Sequence, residues 1–225
     1  MSVPELLHGR YVHNRRISVL SEWCSNLMPR NASVLDVGSG DGRLARLVAN
    51  KRPDISIQGI DVRVRTDSAI HVEPFNGTSI PYGDGSFDVV MFLDVLHHTN
   101  DPTVLLSEAV RVARQVIVVK DHMLQGPLAY STLRLMDWVG NARHNVALPY
   151  NYWTPAQWHG VFDKLGLTAS SWESNLKLYP FPADLIFGRS LHFIAALQLP
   201  SRGSNSEKPR SVILSVRRRG FEACD

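Results

Sequence analysis

The 225-residue chain has few of the features that mark disulfide-stabilised, exported or membrane-spanning proteins. Its two cysteines, Cys24 and Cys224, lie near opposite ends, so they form neither a disulfide framework nor a zinc-binding spacing. The longest apolar runs, such as 89–93, fall far short of the roughly 20 residues that a membrane-spanning helix needs. The first residues contain no apolar signal core. These absences predict a cytoplasmic protein without a membrane partner.

Charge of one sign is also scarce, because the net charge is only +3. The segment 201–225 contains six basic and three acidic residues, and it therefore supplies the whole excess. A basic segment is compatible with nucleic acid, but a solvated tail is the commoner role of such a composition. The size predicts one domain over 1–200, followed by a flexible basic tail over 201–225. Nothing in the sequence indicates the oligomeric state.

Apolar strand patterns alternate with helical patterns through most of the chain. One or two helices are predicted between residues 8 and 28, and further helices at 43–50 and 103–112. Strands are predicted at 33–37, 55–61, 70–75, 87–93, 115–120, 167–178 and 191–197. This alternation is typical of a doubly wound α/β fold, with helices on both faces of a parallel sheet.

The segment 121–153 interrupts this alternation and reads as an insertion with one helix over 128–139. Thr154 and Gln157 then have the spacing of a capping box, which predicts the start of the next helix. Gly166 is placed to end that helix.

The segment 34–43 combines an acid, three glycines and a second acid at a single turn from strand to helix. Glycines let the backbone approach a ligand closely. A dinucleotide fingerprint needs its third glycine three positions after the second, but Gly42 comes only two positions after Gly40, and Arg43 occupies the expected place. Pyrophosphate binding is therefore disfavoured.

Four segments in the correct order carry a resemblance to a known family: 35–42, 55–61, 80–90 and 95–102. They resemble the motifs of the seven-strand, class I methyltransferases that use S-adenosylmethionine. The resemblance implies a Rossmann-like sheet of seven strands, mostly parallel with an antiparallel last strand, and a helical insertion after the fifth strand. It also implies that residues 1–30 cap the cofactor, that 121–153 form a lid over the substrate, and that S-adenosylmethionine is the cofactor.

The resemblance also assigns a cofactor site. Gly38 and Gly40 would pass beside the methionine end, Asp36 would hold its ammonium group, and Asp61 would accept hydrogen bonds from both ribose hydroxyls. Asn76 stands where the family usually has an aspartate, and it is expected to contact adenine. The predicted cofactor residues are Asp36, Gly38, Ser39, Gly40, Asp61, Val62, Arg63, Asn76, Gly77 and, through its carbonyl group, Leu93.

Three histidines are candidate general bases, because imidazole titrates near neutral pH and these residues follow the predicted fourth and fifth strands. They are His97, His98 and His122. Packing or helix capping is the alternative role for the histidine pair. The spacing of Asp94, His97 and His98 also resembles a metal motif of quinone-biosynthesis O-methyltransferases, but two of its three residues differ, and we predict no metal.

Large aromatic side chains of the insertion could line a pocket for a flat or apolar acceptor. They are Tyr130, Trp138, Tyr150, Tyr152 and Trp153. The sequence therefore predicts methyl transfer to a small molecule, at oxygen or carbon. A cofactor-binding scaffold without turnover and a protein or RNA methyltransferase are the alternatives. Nicotinamide enzymes and aminopropyl transferases with the same sheet plan rank lower.

Overall fold

A computed structural model describes residues 3–141 and 149–200 of the chain. Its centre is a seven-stranded sheet in the order β3-β2-β1-β4-β5-β7-β6. The strands are β1 Ser33–Val37, β2 Ser56–Asp61, β3 Val72–Pro74, β4 Phe87–Leu93, β5 Ala113–His122, β6 Thr168–Glu173 and β7 His192–Gln198. The helices are α1 Val3–Leu27, α2 Arg43–Lys51, α3 Pro102–Val112, α4 Ala129–Asn141, α5 Pro155–Lys164 and α6 Asp184–Phe187, with a short 3₁₀ helix at Leu96–His98.

Strands β1 to β5 are parallel to one another, whereas β7 runs antiparallel to both β5 and β6. The predicted fold class, including the antiparallel last strand, is confirmed. Strands β1 and β4 in the middle of the sheet are apolar and almost entirely buried, as expected for strands covered on both faces. Leu35 and Val34 belong to two different apolar clusters, so neighbouring residues of β1 point to opposite faces of the sheet.

A single helix, α1, occupies the region where one or two were predicted. Cys24 is fully buried in its contact with the sheet, as a free thiol. The helix ends beside Arg52, whose guanidinium donates hydrogen bonds to the carbonyl groups of Ser25, Met28 and Pro29. Those carbonyls lie at and just after the end of the helix, where they have no helical partner, so Arg52 satisfies the C-terminus of α1 and connects it to the end of α2.

Two predicted helix starts are confirmed in detail. The Asp101 carboxylate accepts a hydrogen bond from the Thr103 amide, with Pro102 at the first helical position of α3. Thr154 and Gln157 form the reciprocal capping box that was predicted for α5. Gly166, which has a φ of 67°, follows the end of α5.

Three strands differ in length from the prediction. Strand β5 includes Asp121 and His122, which the sequence analysis assigned to the insertion, because these residues pair with Phe193 and His192 of β7. Strand β6 ends early because the Glu173 carboxylate accepts hydrogen bonds from the two following amides and turns the chain away. Strand β3 is reduced to three residues at the sheet edge and ends at a proline, which cannot donate to a ladder.

Among the described residues, no helix is both long and apolar enough to cross a membrane. The predicted tail over 201–225 lies outside the described residues. The cytoplasmic location and the division into one domain and a tail stay predictions.

Candidate functional site

The glycine loop after β1 is fixed to the end of β2 by its backbone. The Gly38 amide donates a hydrogen bond of 2.8 Å to the carbonyl of Ile60. Gly38 has a φ of 76°, and a Cβ placed on it would lie 2.5 Å from a methyl carbon of Val95, in the segment after β4. Only glycine satisfies both conditions, so this position brings the ends of β1, β2 and β4 together.

Asp61, the last residue of β2, holds the glycine loop in place through hydrogen bonds to backbone amides. One carboxylate oxygen accepts a 2.8 Å hydrogen bond from the Gly40 amide, and the other accepts a 2.8 Å hydrogen bond from the Arg63 amide. Each carboxylate oxygen can accept a further hydrogen bond. The carboxylate is thus fixed in orientation and still has the capacity to bind two hydroxyl groups.

The backbone beside Asp61 is open on the side away from the sheet. Gly40 has a φ of 60°, and no heavy atom lies within 4 Å of the position that its Cβ would take. Val62, the residue after Asp61, leaves 65% of its surface exposed, and Gly77 lies against it. An open glycine, a carboxylate and an exposed apolar side chain together form a cradle for a ligand with polar and flat parts.

Asp36 lies one strand away, buried at the end of β1. Burial, together with the nearby charge of Asp61, raises the pKa of Asp36 to about 7. A buried carboxyl in this state gains from a cationic ligand group, because a positive charge favours its ionised form.

Three other predicted cofactor residues have different surroundings. The side-chain oxygen of Asn76 accepts hydrogen bonds from the amides of Thr78 and Ser79 and stabilises a turn, which leaves its amide nitrogen as the group that could donate to a ligand. The Ser39 hydroxyl is buried against Gly59 without a hydrogen-bond partner among the described residues. Leu93 ends β4 beside Lys120 of β5.

The carboxyl ends of β4 and β5 are covered by charged side chains in place of an open cradle. We call this set the charge cluster: Arg16, Asp94, His97, Lys120, Asp121 and Asp137. Asp94, at a φ of 60°, receives hydrogen bonds from the side chains of both Arg16 and Lys120. Burial would raise the pKa of Asp94, but the two cations outweigh it and hold the pKa well below its usual range.

The second half of the charge cluster connects β5 with the inserted helix α4. His97 Nδ1 lies 2.6 Å from one oxygen of Asp121, and His97 Nε2 lies 3.6 Å from Asp137. The Tyr152 hydroxyl donates a 2.5 Å hydrogen bond to Asp137. Burial lowers the pKa of His97, but the nearby carboxyl groups raise it by more, so the pKa of His97 lies above its ordinary value. Burial raises the pKa of Asp137 as well. The charge cluster thus places three basic side chains against three acidic ones.

Two further histidines flank the charge cluster as neutral groups. Burial and neighbouring positive groups hold the pKa values of His122 and His192 well below the usual range of imidazole. His192 Nδ1 lies 3.4 Å from the Lys120 ammonium. The carbonyl group of His122 accepts a 3.1 Å hydrogen bond from the Trp158 indole.

This geometry separates the three candidate bases. His97 is 2% exposed and His122 is 3% exposed, because the β5–β7 pairing and Tyr152 cover them. Of the three, only His98 keeps partial exposure. The burial of His97 and His122 disfavours them as bases for an acceptor, and the roles of the three histidines stay predictions.

The ligand atoms of two groups of three residues are close enough to hold a metal ion. One group is His97, Asp121 and His122, and the other is Asp94, His122 and His192. In the second group the Lys120 ammonium already contacts both Asp94 and His192. In the first group the 2.6 Å contact between His97 and Asp121 is a hydrogen bond, shorter than the separation of two ligands around one zinc ion. These ligand atoms are therefore arranged for hydrogen bonds and ion pairs with one another, and this arrangement does not suit a metal ion.

Three of the five predicted acceptor residues share a cavity. Tyr130, Trp138 and Tyr150 line a cavity of 360 Å³ on the outer side of α4. Tyr152 is buried with its hydroxyl on Asp137, and Trp153 packs against Trp158 with a ring separation of 5.0 Å. These two side chains hold the insertion on the sheet and do not line that cavity.

Three residues of the site were not predicted from the sequence: Arg16, Asp137 and His192. Asp137 had the clearest signal, because it is a single acid within the helical pattern of an apolar insertion. Arg16 and His192 are brought to the site by contacts across 78 and 72 residues of sequence, and no local pattern indicates them.

The chain is similar in sequence to known methyltransferases. A family model described as "Methyltransferase domain" matches residues 10–171. An uncharacterized methyltransferase of Mycobacterium sp. (strain JLS) is 30% identical over 156 residues, which cover 63% of this chain and 60% of that protein. The 27-O-demethylrifamycin SV methyltransferase of Amycolatopsis mediterranei (strain S699) is 29% identical over 110 residues, or 42% of this chain and 40% of that protein.

The solved structure of an S-adenosylmethionine dependent methyltransferase from Mesorhizobium loti superposes with a TM-score of 0.57 at 14% identity, covering 79% of this chain and 97% of that chain. This likeness concerns the fold. The family match and the shared sheet show that the chain belongs to the methyltransferase-domain family, with the class I fold of S-adenosylmethionine-dependent methyltransferases.

Proposed function

We propose that this chain transfers a methyl group from S-adenosylmethionine to a small-molecule acceptor. The observation that carries the proposal is the Asp61 carboxylate, which two backbone amides fix beside an open glycine at the end of β2. A carboxylate with two remaining acceptor positions suits the adjacent hydroxyls of a ribose. The family membership supports the same reaction.

The residues present fit the cofactor. Asp61 would hold the ribose, Val62 offers an exposed apolar surface for the adenine, and the buried Asp36 would pair with the ammonium group. The bound cofactor supplies an activated methyl group for in-line displacement. The protein orients the reactants and excludes water, which are the contributions that such a displacement needs from it.

A small acceptor is supported by the name of the Amycolatopsis relative, which identifies a rifamycin derivative as that protein's substrate. A proton on the acceptor would need a base. His98 is the candidate that keeps partial exposure beside β4, whereas Arg16 and Lys120 lower the pKa of Asp94 so far that it would be a weak base.

Calorimetric titration with S-adenosylmethionine and S-adenosylhomocysteine tests the cofactor assignment. We expect micromolar binding by the wild type and a loss of at least tenfold in Asp61→Asn, because one acceptor oxygen becomes a donor amide. Asp67→Asn is the matched control, since Asp67 is an exposed acid on the same loop. Thermal unfolding of each variant would show whether it is folded. If the folded wild type binds neither S-adenosylmethionine nor S-adenosylhomocysteine, the proposal is wrong.

The two alternatives differ from the proposal in their products. A scaffold without turnover would bind the cofactor but form no S-adenosylhomocysteine with any of a panel of small acceptors. A nucleic-acid or protein methyltransferase would depend on its basic segment, so removal of residues 201–225 would abolish its turnover. Unchanged turnover of a small acceptor after that truncation supports the proposal.

A further inference from the structure

Most of the exposed large apolar side chains lie in two short segments, 128–139 and 181–186. Of the twelve such side chains among residues 3–141 and 149–200, these two segments contain eight, and Phe181 is the most exposed of them at 83%. We call the exposed side of the two segments the apolar surface. Single exposed apolar residues are normal on a protein, but a concentration of this kind marks a contact with a partner or a membrane.

The two segments adjoin each other. Thr132, Leu135 and Val139 are spaced by three and four residues, so they line one side of α4. The Arg189 guanidinium donates hydrogen bonds to the Thr132 hydroxyl and to the carbonyl of Ile186. This side of α4 therefore faces the segment that contains Ile186, and α4 packs against α6. The apolar side chains of the two segments thus form one surface.

The charge beside the apolar surface is positive. Arg134 lies on α4 and Arg189 follows α6, and within the described parts of the chain neither guanidinium has a carboxylate partner. The acids of the same segments do not balance them. Asp137 is buried in the charge cluster, and Asp184 pairs with Lys177 at 3.5 Å. Two arginines therefore give the apolar surface its net charge.

This positive charge distinguishes a second copy of the chain from a lipid membrane as the occupant. Two copies related by a two-fold axis would bring identical surfaces together, so arginines would border arginines across an apolar contact. Like charges placed together at an interface oppose association. An anionic membrane offers apolar chains beneath negative headgroups, which is complementary to apolar side chains bordered by arginines.

We propose that the apolar surface docks on an anionic lipid membrane, with Arg134 and Arg189 at the headgroup phosphates. Tyr130 and Trp138, which also line the cavity beside α4, each combine an apolar ring with a polar group, as side chains at a membrane interface do. Contact of this kind needs no membrane-spanning helix. The inference differs from the sequence-based expectation of no membrane partner, which rested on the lengths of apolar runs. It goes beyond the proposed function and does not depend on it.

Sedimentation with lipid vesicles tests the role of charge. The full chain is mixed with vesicles of phosphatidylcholine alone or of phosphatidylcholine with phosphatidylglycerol, and we expect tighter binding to the mixed vesicles. Arg134→Gln should weaken that binding about fivefold, which is the effect of one basic residue near an anionic surface. Arg46→Gln is the matched control, because Arg46 is an exposed arginine of α2 that donates to the Ala69 carbonyl. It should leave the affinity unchanged.

The apolar contact has its own pair of variants. Leu135→Ser, at a side chain with 50% exposure, should weaken binding to the mixed vesicles about tenfold, because its apolar area no longer leaves water. Val104→Ser is the matched control, since Val104 is 43% exposed on α3, outside the apolar surface. Vesicles of brominated lipid should quench the tryptophan fluorescence of the wild type more than that of Trp138→Phe.

The segment 201–225 stays in every variant, so its own attraction to anionic lipid cancels from the comparisons. If Arg134→Gln and Leu135→Ser, shown to be folded by thermal unfolding, bind the mixed vesicles as the wild type does, the inference is wrong. Sedimentation velocity on the same samples tests the second copy as occupant. A wild-type dimer that Leu135→Ser dissociates would also overturn the inference, because the apolar surface would then be covered by another chain.

Discussion

The loops after β1 and β2 and the loops after β4 and β5 lie at the same edge of one sheet, but they are built differently. The first pair is held by backbone amides around Asp61 and leaves the space beside Gly40 open. The second pair is filled by the side chains of the charge cluster, and Lys120 and Asp121 are fully buried there. We call the ends of β1 and β2 the open half of the edge, and the ends of β4 and β5, which form their own ion pairs, the filled half.

The difference shows how a parallel sheet can use its ligand-binding edge. Ligands of open α/β sheets bind outside the carboxyl ends of the strands. Here the charge cluster occupies the ends of β4 and β5 and connects them to α1 through Arg16 and to α4 through Asp137. The charge cluster thus connects α1 and α4 to the sheet, and its integrity should affect stability more than ligand contact.

The largest expected effect comes from breaking the charge cluster. His97→Ala would leave Asp121 and Asp137 buried without their shared cation, so we expect a loss of about 3 to 5 kcal/mol in the free energy of unfolding. Urea denaturation measures it. His71→Ala is the control, because His71 pairs with Glu73 on the surface, and it should change nothing measurable. Equal stabilities of the two variants would contradict a structural role for His97.

The raised pKa of His97 predicts that its contribution to the free energy of unfolding depends on pH. Because the carboxylates raise the pKa of His97 on folding, its contribution is complete below the ordinary imidazole pKa and is lost as pH rises through the raised value. The wild type should therefore exceed His97→Ala in stability by more at pH 6 than at pH 9. Denaturation at both values tests this, and an equal difference would exclude a buried imidazolium.

Steric contact distinguishes two glycines of the open half. Gly38→Ala should cost about 3 kcal/mol of stability, because its φ is positive and its Cβ would overlap Val95. Val95→Ala in the same chain should restore part of that loss. Gly40→Ala, at positive φ but in open space, should cost only about 1 kcal/mol and should chiefly weaken cofactor binding. A double-mutant cycle with calorimetry separates the two effects.

A smaller expected effect on stability tests whether Asp36 contributes to cofactor binding in the open half. Burial raises the pKa of Asp36 to about 7, so this carboxyl lowers the stability of the ligand-free protein as pH rises from about 4 to about 7. We expect Asp36→Asn to gain about 2 kcal/mol at pH 8 and little at pH 4, while it loses cofactor affinity. A stability gain without a loss of affinity would remove Asp36 from the cofactor site.

The smallest expected effect concerns the edge of the filled half. Trp158→Phe would remove the indole donor from the carbonyl of His122 and leave that buried group without its partner. We expect a loss of about 1 kcal/mol, measured by urea denaturation. Trp172→Phe is the comparison, because its stacking on Phe193 is retained and its loss should be smaller.

The open half could be predicted because its signals are local. Asp36, Gly38 and Asp61 lie within one strand-helix-strand unit, and the predicted strands around them are confirmed. The charge cluster could not be predicted in the same way. Lys120 and His122 are polar residues at the end of an apolar strand, and only the pairing with β7 shows that they are covered. The turn that the Asn76 side chain forms was not predicted either. It depends on how the backbone of the next three residues folds back onto the side-chain oxygen.

The position of β7 between β5 and β6 has a consequence for synthesis of the chain. Until residues 192–198 have left the ribosome, β5 has an unpaired edge from Val116 to His122. Its last residues, Lys120 to His122, then have no covering strand. A nascent or truncated chain without β7 therefore presents a long apolar edge to other chains, and aggregation competes with folding until the final strand inserts.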